Sequence, residues 1–213
     1  MLVSASIIIR VKEGENACRI NIHSYLICTF ESMSANEEEK VILVNENDEP
    51  VGLMPKLEAH EKGVLHRAFS VFIYNDKGEL LLQQRALRKY HSPGLWTNTC
   101  CSHQRSGEST LEAATRRLEE EMGFTVPLKE TTSFIYEAPF DNGLTEHEYD
   151  HIVVGTYTKD PVPNPDEVAG WKWMYPEEVR KDMLSHPERY TVWFKIIFDT
   201  YYSQVEASYE SDR

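Results

Sequence analysis

The stretch from Trp96 to Phe124, WTNTCCSHQRSGESTLEAATRRLEEEMGF, constrains this chain more than any other. It opens with a short extended run carrying two cysteines and a histidine, crosses a glycine-containing turn, and enters an acidic helix that stops at Gly123. Ser109 and Glu112 have the spacing of a capping box, in which hydroxyl and carboxylate each satisfy a free amide at the helix start. Leu111, Ala114, Thr115, Leu118 and Met122 recur at the spacing of a core-facing stripe. Arg117 and Glu121, four apart, share one edge of that stripe, while Glu120 falls on the far side, toward water. A thiol and an imidazole on an extended segment, followed by a helix presenting arginine and carboxylate along one side, is the layout of a metal and diphosphate site.

The flanking chain supplies a sheet. Val41 to Asn45 reads as a strand, and 46–52 as a turn leading into a second extended piece. Lys56 to Lys62 reads as a short helix carrying His60. Ala68–Tyr74 and Glu79–Arg85 are apolar strands joined by the hairpin turn Asn75-Asp76-Lys77-Gly78. After the central helix come strands at Ser133–Ala138, Thr145–Thr158 and Trp171–Met174, then helices at Pro176–Leu184 and Thr191–Tyr202. Strands interleaved with helices give an α/β sandwich with a mixed sheet. Residues 40–202 form the domain, 1–39 an extension and 203–213 a polar tail expected to fray. Residues 33–40, MSANEEEK, look like a fresh chain start, so residues 1–32 are expected to add nothing to activity. Met1–Ile9 lacks the flanks of a secretory signal. Cys18, His23 and Cys28 lack the fourth ligand or CxxC spacing of a zinc site.

Charge and cysteine usage narrow the partners. A net charge of −13, from 22 basic and 35 acidic residues, argues against nucleic acid or an anionic membrane surface. Four cysteines with no framework spacing fit a reducing, cytoplasmic setting, and no apolar run approaches the length of a membrane span. A monomer is favoured. In a strand, alternation sends Glu146 and Glu148 to one face and His147 to the other. Ile152 and Val154 continue the even-numbered face, which suggests that it turns inward; the competing picture is an edge strand with solvated glutamates. His60, His66 and His103 tilt the balance. Three imidazoles and two carboxylates make a donor set suited to Mg²⁺, Mn²⁺ or Zn²⁺. His91, His147, His151 and His186 are assigned no role.

Glu108, Arg116, Leu118, Glu120, Glu121, Gly123 and Phe124 fall where the Nudix box puts its own residues. Ser102 stands in place of the opening glycine, Arg117 in place of the glutamate after the arginine, and Gln104 where proline commonly follows the histidine. With W-T-N-T-C-C-S-H upstream, the chain from about Lys40 to about Tyr202 resembles the type I isopentenyl-diphosphate delta-isomerases, a branch of the Nudix fold. The resemblance implies a Nudix-like α/β/α sandwich. It implies a 1,3 shift of a double bond between isopentenyl and dimethylallyl diphosphate, with Cys101 and Glu148 handling protons and Tyr136 hydrogen-bonding beside them. It implies metal ligands at His60, His66, His103, Glu146 and Glu148, and a second Mg²⁺ held by Glu121 and the substrate diphosphate. Lys56, Arg85, Lys89 and Arg117 would bind the diphosphate, and Trp193 would face a developing carbocation. Two rivals stand beside this reading. One is a Nudix hydrolase of a nucleoside-diphosphate-linked substrate, and the other a metal-binding module without catalysis.

Overall fold

In the computed structural model, residues 39–211 are described, so the expectations placed on residues 1–38 lie outside the described residues. The described chain runs β1 Lys40–Val44, β2 Pro50–Pro55, α1 Lys56–Lys62, β3 His66–Tyr74, β4 Leu80–Arg85, β5 Trp96–Thr97, β6 Cys100–Ser102 and α2 Thr110–Met122. It continues through β7 Leu128–Pro139, β8 Thr145–Thr156, β9 Val168–Met174, α3 Pro176–Ser185, α4 Val192–Ile196 and α5 Tyr202–Glu210.

β3 organises the sheet. It pairs in parallel with β8 over its whole length, from His66 opposite Glu148 to Tyr74 opposite Thr156. Its other edge meets β1, β6 and β4 in turn, all antiparallel. β7 pairs antiparallel with β8, and β5 and β9 extend the sheet from β4. A parallel pair needs a long crossover, and α2 lies within it. Strands buried on both faces read as continuous apolar runs, which is why β3 and the end of β8 show little alternation in sequence.

Two cores cover the two faces. Phe69, Val71 and Ile73 of β3 pack with Leu81, Val153 and Ala113, Ala114, Leu118 and Met122 of α2. Phe72, Tyr74, Leu82, Ile152 and Val154 pack on the other side with α3 and the C-terminal helices. The expected α/β/α sandwich is the observed one.

Three local expectations need correction. Leu111 lies on the α2 stripe but in its first turn, and it is 37 % exposed, while Ala113 and Glu121 are buried instead. The helix packs on β3, β6, β7 and β8 together, so more than one of its sides is covered. The tail from residue 203 is helical to Glu210, not frayed. Its polar residues face water while Val205 is buried, and Tyr209 stacks on Tyr74 with ring centroids 4.0 Å apart. Between α4 and α5 the chain loosens into a π turn over Ile197–Tyr201.

The central helix ends as expected at Gly123, whose φ is 77° and whose amide donates to the carbonyl of Glu119. A Cβ there would lie 2.3 Å from the Val162 carbonyl oxygen. Gly123→Ala therefore meets both a left-handed backbone and a backbone clash. Thermal unfolding is expected to report a loss of about 2–4 kcal/mol; an unchanged melting temperature would contradict this account of the helix end.

Candidate active site

The register of the sheet brings the predicted residues together. His66 stands opposite Glu148, and Tyr136 opposite Glu148 from the other side. Side chains opposite one another share a face. Ser70 stands opposite Cys101, so the thiol shares a face with this group, while Cys100, opposite Val71, enters the core beneath α2. Alternation along β8 sends Glu146, Glu148 and Asp150 inward, as the sequence suggests, and all three are buried. α1 contributes His60, and the loop after β6 contributes His103.

His60, His66, His103, Glu146 and Glu148 each offer one ligand atom, and these atoms all lie within 4.8 Å of one another. The Nδ1 of His60 is 2.6 Å from the Lys56 carbonyl, and that of His66 is 2.8 Å from the Val64 carbonyl. A carbonyl only accepts, so both Nδ1 atoms carry a proton, and in the neutral rings both Nε2 atoms present lone pairs. His60 Nε2 faces Glu146 Oε2 at 3.3 Å, and both atoms are buried without a hydrogen-bond partner. Two electron-rich atoms facing each other in a dry site fit a divalent cation between them. On the other side, His103 Nε2 lies 3.0 Å from Glu148 Oε1 and 3.2 Å from His66 Nε2. Tyr136 donates its hydroxyl to Glu148 Oε2 at 2.7 Å.

Protonation follows from burial and neighbours. Burial, helped by His103, pushes His66 down to about 3, so its ring is neutral. Burial opposes charge on His60 too, but Glu146 outweighs it and holds this histidine above its ordinary value. Burial and the adjacent Glu148 push Glu146 up, whereas the histidines around Glu148 hold it low against burial. Burial pushes the Cys101 thiol up to about 12, with Arg85 working the other way. Cys101 is thus an S–H group at neutral pH.

Cys101, Tyr136, His103, Glu146 and Glu148 line one cavity, with about 50 Å³ of room for the centres of water molecules. Its remaining predicted wall residues are Lys56, Arg85, Lys89, Arg117 and Trp193. The Arg85 guanidinium lies 5.2 Å from the Trp193 ring centroid, and its Nη1 reaches Cys101 Sγ at 3.8 Å. The other cations carry carboxylate partners: Lys56 pairs with Glu39 at 3.2 Å, while Lys89 and Arg117 both pair with Glu167.

Glu121 is not brought to this wall. It is buried behind Arg117, which donates to its Oε1 at 2.6 Å, and Gln83 donates to its Oε2 at 2.9 Å. Glu108 and Arg116 of the Nudix box hold each other, with Arg116 Nε and Nη2 donating at 2.7 and 2.8 Å. That pair braces the turn before α2 and is remote from the thiol in role.

Five lining residues, Phe69, Ser70, Tyr90, His91 and Ser102, were not singled out from sequence, and His91 is the one that meets the carboxylate cluster. His91 is buried, lines the cavity, and puts its Nε2 3.2 Å from Glu146 Oε1. No periodic pattern surrounds it, since it sits in the turn Tyr90-His91-Ser92-Pro93-Gly94.

Comparison with known proteins identifies the family. The NUDIX domain family matches residues 64–194. Over 162 residues the chain is 51% identical to the protein named isopentenyl-diphosphate Delta-isomerase 2 of Photorhabdus laumondii, covering 76% of this chain and 92% of that one. It is 49% identical to the isopentenyl-diphosphate Delta-isomerase of Serratia proteamaculans, covering 75% and 89%. Among solved structures, a Deinococcus radiodurans protein superposes with a TM-score of 0.63 at 22% identity, covering 76% of this chain and 99% of that one. That last likeness concerns the fold. No helix among the described residues is long and apolar enough to cross a membrane.

Proposed function

The chain belongs to the NUDIX family and to its isopentenyl-diphosphate Delta-isomerase branch, and from that premise we propose that it interconverts isopentenyl and dimethylallyl diphosphate. The observation that carries this reading is the single cavity lined by both Cys101 and Glu148. An allylic 1,3 shift needs one proton delivered to the terminal alkene carbon and another taken from the carbon two positions along the chain. Atoms balance, because the substrate gains and loses one proton. A protonated thiol and a carboxylate on opposite sides of a small hydrocarbon unit provide both halves. Tyr136 holds one oxygen of Glu148, which fixes the carboxylate's orientation. Trp193 offers a π face toward positive charge developing at the tertiary carbon, and exclusion of water keeps that carbon from being captured.

His60, His66, His103, Glu146 and Glu148 would hold a divalent ion, Mg²⁺, Mn²⁺ or Zn²⁺, which supplies charge that fixes the protonation of Glu148 when bound. Lys56, Lys89 and Arg117 would exchange their present carboxylate partners for the diphosphate oxygens, and Arg85, which has none, would join them there. Only when Arg117 turns to the diphosphate would Glu121, now enclosed by Arg117 and Gln83, offer a carboxylate to a Mg²⁺ carried in with it. The hydrolase reading is not favoured. Arg117 replaces a helix carboxylate and neutralises Glu121, which leaves little of the acidic cluster such chemistry needs. Incubation with isopentenyl diphosphate and Mg²⁺ is expected to yield an acid-labile allylic diphosphate. Acid-stable substrate after prolonged incubation with metal-loaded protein would sink the proposal.

A further inference from the structure

His91 stands outside the ligand cluster, yet its surroundings fix it. Its ring stacks on Phe140 at a centroid distance of 5.4 Å and meets Tyr90 and Trp193 edge-on at 4.5 and 5.9 Å. The backbone that carries it is equally committed. Ser92, next in the chain, has a φ of 48°, a left-handed conformation that costs a non-glycine residue energy. The polar atom facing His91 Nε2 is Glu146 Oε1 at 3.2 Å, while its Nδ1 is buried with no partner. A buried lone pair without a donor is less costly than a carboxylate oxygen left bare, so the ring's hydrogen belongs on Nε2, pointing at Glu146.

The two cluster carboxylates then follow one plan. Glu148 turns Oε1 toward His66 and His103 and gives Oε2 to the Tyr136 hydroxyl. Glu146 turns Oε2 toward His60 and gives Oε1 to His91. Each has one oxygen among the imidazoles and the other tied to a neutral donor. A carboxylate free to rotate would spread its two oxygens over many orientations, and binding an ion would have to freeze it.

We propose that His91 is a positioning residue for the metal site: its Nε2–H holds Glu146 Oε1 so that Oε2 stays aimed among His60, His66 and His103. This rests on the metal-cluster reading given above. It also separates two functions of one residue. The backbone carbonyl of His91 accepts from Arg85 Nη2 at 3.3 Å, so changing only the side chain leaves that support of the diphosphate pocket in place.

The test is Mn²⁺ titration of the purified full chain, reading free ion by its EPR signal, for the parent, His91→Phe, His91→Gln and His91→Asn. Glutamine's amide ends near the Nε2 position and keeps the donor; asparagine's ends near Nδ1 and cannot reach Glu146. The phenylalanine and asparagine variants are expected to bind Mn²⁺ about 10- to 100-fold more weakly, and the glutamine variant within about threefold of the parent. Should phenylalanine prevent folding, the asparagine–glutamine contrast carries the comparison alone. Equal affinity in parent and asparagine variant, or equal losses in glutamine and asparagine variants, would overturn the positioning role. A parent that binds no ion at the cluster would instead overturn the metal reading on which it rests.

Discussion

Cys101→Ser and Glu148→Gln are each expected to lower turnover of isopentenyl diphosphate by about a hundred- to ten-thousandfold, the range for removing a positioned proton donor or acceptor. Both changes are nearly isosteric, so the loss comes from chemistry and not from packing. A serine hydroxyl is a far weaker acid than a thiol already pushed up to about 12 by burial. Glutamine keeps an acceptor for Tyr136 but cannot take a proton. The double variant should be little worse than either single one, because two halves of one proton shift fail together. Cys100→Ser gives the contrast: its thiol lies in the core beneath α2, away from the cavity, so turnover should survive while stability falls. The measurements are kcat and melting temperature for all four variants. Turnover within about tenfold of the parent for Cys101→Ser would remove the thiol from the mechanism.

Removal of the divalent ion is expected to have the second-largest effect. Dialysis against a chelator should abolish turnover, and Mn²⁺ or Zn²⁺ should restore it. The ion binds the folded chain and not the unfolded one, so adding it at about a hundred times its Kd should stabilise the fold by about 2.7 kcal/mol. The pH dependence has a definite sign. His60 and Glu146 both hold protons more tightly than usual, His60 because Glu146 outweighs burial and Glu146 through burial and the charge of Glu148. Each must lose its proton to bind the ion, so metal loading rises as pH rises from acid toward neutral and beyond. Without the ion the trend for Glu146 runs the other way. The folded chain keeps a proton there that the unfolded chain releases, so this contribution to stability is lost as pH rises through the raised value. Chelation that leaves turnover intact, or loading indifferent to pH, would contradict the cluster's assignment.

Most of the fold was legible because its signals are local. The Asn75–Gly78 turn closes β3 onto β4 with Gly78 at a φ of 83°, and the Ser109–Glu112 capping box opens α2. Strand alternation puts Glu146 and Glu148 on one face, and Ile152 and Val154 farther along mark that face as the inward one. What escaped reading depends on contacts distant in sequence. His91 gains its meaning from Glu146, which reaches it only through the assembled sheet. The helix through Tyr209 reads in sequence as a frayed tail because its polar residues outnumber the few apolar ones, yet Tyr209 finds Tyr74. Helical spacing puts Glu121 on the edge it shares with Arg117, and the resemblance makes it a ligand; in the fold Gln83 and Arg117 enclose it. The imidazole–carboxylate cluster and the cavity's basic wall were legible through family resemblance, since single histidines and lysines carry no periodic signal.

The most direct test places metal-loaded protein and isopentenyl diphosphate in D₂O and follows ¹H and ³¹P NMR spectra together. The account predicts that dimethylallyl methyl signals appear, that deuterium from the solvent enters the product, and that the diphosphate resonances remain those of an intact diphosphate ester. Release of phosphate, or a substrate spectrum unchanged in the presence of demonstrably loaded cluster, would contradict it.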